Sequence, residues 1–143
     1  MASGDAQVTP VLQFRRMDTE IVTNRVIGAA LRVHTELGPG LLESAYRACL
    51  AHELHLMDLR VKAEWALPIS YRGIQIDVGY RLDLLVEDSV IVELKAIDRL
   101  RRVHDAQVLS YLKLSGLHVG LLINFCVPQL RLGIKRIVNN YKA

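Results

Sequence analysis

The chain has 143 residues, of which 51% are hydrophobic and 23% charged, and a formal net charge of +3. That length and balance suit one folded domain with a single core and exclude a disordered chain. The charge is compatible with a polyanionic partner and equally with an ordinary solvated surface.

Residues 1–17 read as a polar, flexible arm, with Pro10 as a breaker, ahead of a single domain over 18–143. Asp18 suits the N-cap of a first helix to about Leu37, with Glu20 in its first turn. Ile21, Val22, Val26, Ala29, Ala30, Val33 and Leu37 give that helix an apolar stripe, and Gly38-Pro39-Gly40 ends it. A second helix spans about 41–57, with Leu42, Tyr46, Cys49, Leu50, Leu54 and Met57 on one side. An extended segment over 61–71 is interrupted by Pro68, and Arg72-Gly73 turns the chain into 74–78. A hairpin over 80–95 follows, then a polar stretch over 98–102. Helical spacing resumes over 103–114 with Gly116 as its stop, and a buried strand covers 117–125. A last strand or strand-helix covers 129–138, and the tail with Lys135, Arg136 and Lys142 is basic. The order α-α-β-β-β-α-β-β makes an α/β (α+β) fold, one mixed sheet flanked by helices.

The hairpin carries the chemistry. Side chains alternate along a strand, so Glu93 and Lys95 share one face and Val92 and Leu94 the other. Ionised groups in so apolar a hairpin must pair or hold a metal. Asp83 and Glu93 suit Mg²⁺ or Mn²⁺, which take oxygen ligands and keep part of their water shell. Lys95 would stabilise charge developing on a scissile phosphate. For Asp83 to face Glu93 the connection must be odd in length, for instance Glu87-Asp88-Ser89, or a bulge must intervene. The alternative is an edge-strand ion pair of Glu93 with Lys95, and an Asp83 that merely meets solvent.

Two further strings, Gly40-Leu41-Leu42-Glu43-Ser44-Ala45-Tyr46 and Gln107-Val108-Leu109-Ser110-Tyr111, accompany the hairpin. With them the chain, over about 18–138, resembles the GxxExxY family of the PD-(D/E)XK nuclease superfamily. The Gln-x-x-x-Tyr spacing resembles the RecB-like nucleases within it. The resemblance implies a restriction-endonuclease-like core and a divalent-metal-dependent nuclease cutting DNA, or failing that RNA. Asp83 and Glu93 would be metal ligands and Lys95 the catalytic lysine. Glu43 would be a carboxylate near the metal, and Gln107 and Tyr111 a pair facing the site from the third helix. The bland alternatives are a Glu43 that only favours the helix dipole and a Tyr111 that only packs. Tyr46 is better read as core with a satisfied hydroxyl. A catalytically inactive nucleic-acid-binding or protein-interaction module on the same fold is the rival function.

Arg99, Arg101 and Arg102 form a basic run suited to phosphate contacts, or to plain solvation. His52 and His55 stand three apart, so the segment is no zinc-protease HExxH, and His34, His104 and His118 are expected to cap or to bond within the core. Cys49 and Cys126 are distant and form no CxxC, which fits a reduced, cytoplasmic setting. No secretory signal or membrane-length apolar run is evident, so no membrane partner is expected. The segment before Pro68, if exposed, would suit a homodimer, and an accessory protein subunit would help so small a domain grip a duplex.

Overall fold

A computed structural model of the chain describes residues 17–141. The expected arm lies outside the described residues except for Met17, which packs against the core. Lys142 also lies outside them.

Helix α1 (Thr19–Leu37) begins where Asp18 accepts the Glu20 N–H at 2.7 Å. It buries Val22, Val26, Ala29, Ala30 and Val33, while Ile21 and Leu37 of the expected stripe are exposed. Helix α2 (Glu43–Leu56) buries only Tyr46, Leu50 and Leu54. Leu42 and Cys49 face outward, against expectation, because α2 is an outer layer and only one narrow i, i+4 row reaches the core.

Five strands, not three, precede the last helix: β1 (Val61–Ala66), β2 (Ile69–Tyr71), β3 (Ile74–Ile76), β4 (Arg81–Val86) and β5 (Val90–Lys95). Helix α3 (Arg102–Ser115), β6 (Val119–Asn124), a 3₁₀ turn at Leu130–Gly133 and β7 (Ile134–Val138) complete the chain. The main sheet runs β1-β4-β5-β6-β7, and β2 and β3 form a separate ribbon. Without that ribbon the order is the expected α-α-β-β-β-α-β-β. The ribbon turns at Arg72-Gly73, with φ of 47° and 87°, the paired positive values of a tight hairpin. β5 and β6 are parallel, joined by the α3 crossover, and the other neighbours are antiparallel.

Two apolar layers close the sheet. Leu84, Val86, Val90, Val92, Leu94, Leu121 and Ile123 pack with α1 and α2. Leu85, Ile91 and Leu122 pack on the other side with Val108, Tyr111 and Leu112 of α3. Every residue of β6 is buried, as a strand covered on both faces should be. Gly120 explains how closely α3 sits: a Cβ there would stand 2.6 Å from Val108 Cγ1.

Candidate metal centre

The register of β4 and β5 ends at Val86↔Val90, leaving a three-residue connection, Glu87-Asp88-Ser89. Glu87 and Asp88 both adopt left-handed φ, 53° and 50°. Such values are costly for non-glycine residues unless the surroundings hold them. Here the Arg60 N–H donates to Glu87 Oε2 at 2.6 Å and the Glu87 N–H to the Arg60 carbonyl at 2.8 Å. The odd length continues the Leu84↔Val92 pairing to set Asp83 opposite Glu93.

At that position the ladder opens. The β4–β5 pairing stops at Leu84↔Val92, and the β1–β4 pairing skips Glu64 opposite Asp83. Leu82 packs on the α3 side and Leu84 on the other, so regular alternation breaks between them, at Asp83. Side-chain carboxylates replace the missing rungs crosswise: the Asp83 N–H donates to Glu93 Oε1 at 3.0 Å, and the Leu94 N–H to Asp83 Oδ2 at 2.8 Å. Both acids are buried, Asp83 at 8% exposure and Glu93 at 3%. β5 is the middle strand of the sheet, so the edge-strand ion pair is ruled out as their setting.

Two carboxylates so close in so dry a place repel. Burial first, and then the Asp83 charge, push the Glu93 carboxyl up to about 8, and Lys95 offsets only part of this. Glu43 is raised too, by burial and then by Asp83, while Lys95 and Arg47 pull the other way. Tyr111 is raised by burial and then by the charge of Glu93, which places its hydroxyl within electrostatic reach of the acids.

The flanking helices supply the rest. Glu43 is the first residue of α2, and Tyr46 fixes that end of the helix. The Tyr46 hydroxyl donates to the Gly38 carbonyl and accepts the Leu41 N–H, and its ring stacks on Phe125 at 4.4 Å. Tyr46 is thus core, and its effect on the site is to hold the chain entering Glu43. On α3 the Gln107 side-chain amide donates to the Tyr111 hydroxyl at 3.0 Å. Arg99, Arg101 and Arg102 are exposed at the start of that helix. His104 Nδ1 caps it by accepting the Arg101 N–H, and His34 and His118 bond backbone carbonyls.

Three residues of the site escaped the sequence reading. Arg47, one turn after Glu43, reaches Asp83 Oδ1 at 3.2 Å and Glu64 at 3.5 Å. Glu64 has φ of 50° inside a strand, directly where β1 fails to pair with Asp83. Asn124, 1% exposed, accepts the Ile97 and Cys126 N–H groups and donates to the Ile97 carbonyl. It pins the chain leaving Lys95, its register partner across β5 and β6. A lone Asn in the run 119–125 was a readable sign of this.

Among the described residues, no three His, Cys, Asp or Glu side chains converge as a ready-made cage. Glu43 senses Asp83 without completing such a set. Two hard, mutually repelling carboxylates match the oxygen preference of Mg²⁺ or Mn²⁺ and not that of a thiol- or imidazole-preferring metal. No described helix is long and apolar enough to cross a membrane. A family model described as the PD-(D/E)XK nuclease superfamily matches residues 20–137. Searches of curated proteins and of solved structures return no match.

Proposed function

The chain belongs to the PD-(D/E)XK nuclease superfamily, and from that premise we propose that it is a divalent-metal-dependent nuclease hydrolysing phosphodiester bonds of DNA, with RNA second. The observation that carries this reading is the crosswise pairing of Asp83 and Glu93 where the ladder opens. The Gly40–Tyr46 and Gln107–Tyr111 strings further support placing the chain in the GxxExxY branch.

Asp83 and Glu93 would hold a Mg²⁺ or Mn²⁺ ion, which when bound supplies Lewis-acid polarisation of the phosphate and a more acidic water. Lys95, on the Glu93 face of β5, lies where its ammonium offsets charge building on the phosphate oxygens. Asn124 holds Ile97, and so limits how far the end of β5 carrying Lys95 can drift. Tyr111, oriented by Gln107, would offer its hydroxyl to a phosphate oxygen or a water. Glu43 adds negative charge at the rim, favouring a cation and steering water. Arg99, Arg101 and Arg102 would give sequence-independent contacts to the phosphate backbone.

End-labelled single- and double-stranded DNA and RNA, incubated with either metal, test the reading. Cleavage should need the metal and fall by at least about a hundredfold in Asp83→Ala, Glu93→Ala and Lys95→Ala, the loss of a main electrostatic contribution. Folded wild-type protein that cuts none of the four substrates would sink it.

A further inference from the structure

Beside the metal centre, a cavity of about 660 Å³ opens between α3 and the segment from the ribbon to Tyr80. Its walls are the rings of Tyr80 and Tyr111 and the apolar Val103 and Leu114, with Gln107 and Lys113 as polar points. Gln107 and Tyr111 therefore belong both to this groove and to the flank of the acids. The two tyrosine rings stand 5.9 Å apart and tilted by 54°, an aromatic corner with Tyr80 still 43% exposed.

The surface leading to the groove has the same character. Of the 15 exposed large apolar side chains among the described residues, six fall between Trp65 and Tyr80, among them Trp65, Tyr71 and Tyr80. Exposed Arg72 lies among them, and Lys62 and Arg81 flank them, Lys62 over the Trp65 ring and paired with Asp88, Arg81 paired with Asp77. Exposed rings with cations beside them form the surface that single strands use: bases stack on the rings and phosphates meet the charges.

We propose that this groove binds an unpaired base next to the scissile phosphate, making single-stranded nucleic acid, or a frayed end, the preferred substrate. The inference rests on the nuclease reading above for its position and on the groove's own chemistry for its ligand. A duplex keeps its bases stacked and paired, so only an unpaired or extruded base can reach such a pocket. A second copy seated there would cover Gln107 and Tyr111 and close the metal centre. Exposed Lys113 in the groove wall, with Arg81 next to Tyr80 in the chain, favours a polyanion over an apolar peptide.

The test is anisotropy with a labelled 12-nucleotide strand and its duplex, on the full chain in EDTA so that nothing is cut. The single strand should bind about tenfold tighter than the duplex, and Tyr80→Ala should remove about that factor, as loss of one stacked base does. Ser110→Leu, on an exposed helix position in the groove wall, should fill the space and weaken the single strand similarly, without touching the core. Equal affinity for both forms, no effect of Ser110→Leu in folded protein, or no binding at all would overturn the inference. So would a dimer that Tyr80→Ala dissociates while strand binding is unchanged. Single-strand binding of the expected kind without cleavage in Mg²⁺ or Mn²⁺ would overturn the nuclease reading and leave the groove supported.

Discussion

Glu93→Gln should make the metal-free protein more stable at alkaline pH while removing the proposed metal site. In the native chain the Glu93 carboxyl is pushed up to about 8 from an ordinary 4.5. Between those values the folded state keeps a proton that the unfolded chain releases, so this group lowers stability as pH rises through the window. Near pH 4.5 and below, both states are protonated and Glu93 contributes little. Above pH 8 both are ionised and the full penalty stands, at most about 5 kcal/mol at about 1.4 kcal/mol per pKa unit. An amide at this position carries no charge to bury, and its oxygen can still accept the Asp83 N–H.

Urea denaturation in EDTA at pH 5 and pH 8.5 reads the difference. The variant should exceed wild type by roughly 2–5 kcal/mol at pH 8.5 and by under about 1 kcal/mol at pH 5. Glu43, also raised, is common to both proteins and cancels in the comparison. With Mg²⁺ at a hundred times its Kd, wild type should regain about 2.7 kcal/mol and the variant nothing. A variant less stable than wild type at pH 8.5, or a gap that does not widen with pH, would refute the reasoning. Either result would mean that Glu93 is held ionised by its neighbours and is a structural ion-pair partner.

The guanidinium of Arg47 now meets Asp83 Oδ1, so Arg47→Met should tighten Mn²⁺ binding by about tenfold in calorimetry while costing the metal-free protein about 1–2 kcal/mol; weaker binding would count against a competing cation. Asn124→Ala removes three hydrogen bonds of a buried side chain and should cost about 2–3 kcal/mol in thermal unfolding. Amide exchange at Ile97 and Cys126 should rise ahead of the rest of the sheet. Gly120→Ala drives a methyl into Val108 and should cost about 1–3 kcal/mol. It should also lower cleavage by shifting Tyr111, and Val108→Ala in the same chain should restore part of both.

What the sequence made legible follows from how local each signal is. The Asp18 cap and the Gly116 stop depend on neighbours a few residues away, and both sit in the structure where they were read. The turn condition was also local, because parity between Asp83 and Glu93 depends only on counting residues between them. The ribbon was not legible as a separate unit, since Ile74, Ile76, Val78 and Tyr80 alternate with other residues as a strand of the main sheet would, yet all of 70–81 is exposed. Arg47 was missed for a different reason. Its partner Asp83 lies 36 residues away, and nothing about an arginine one turn past Glu43 distinguishes a site cation from a solvated one.

The opened ladder ties these parts together. A strand pair that gives up backbone rungs for two buried carboxylates is unstable unless the flanks hold it in register. Here β5 is paired along its whole length with β6 on one side. On the other, the three-residue turn is held by Arg60 from the residue preceding β1. The breach is therefore confined to the end of the hairpin away from its turn, where Asp83, Glu64 and Glu93 depart from regular pairing together. A sheet whose purpose was stability alone would close that end with apolar residues at small cost. Keeping two acids there, with one held near 8 and the other on an arginine, is a standing loss of stability, which a cation bound as proposed would relieve. Stability and metal affinity should accordingly move in opposite directions for substitutions that neutralise these acids, and together for substitutions in β6 or the turn that merely support them.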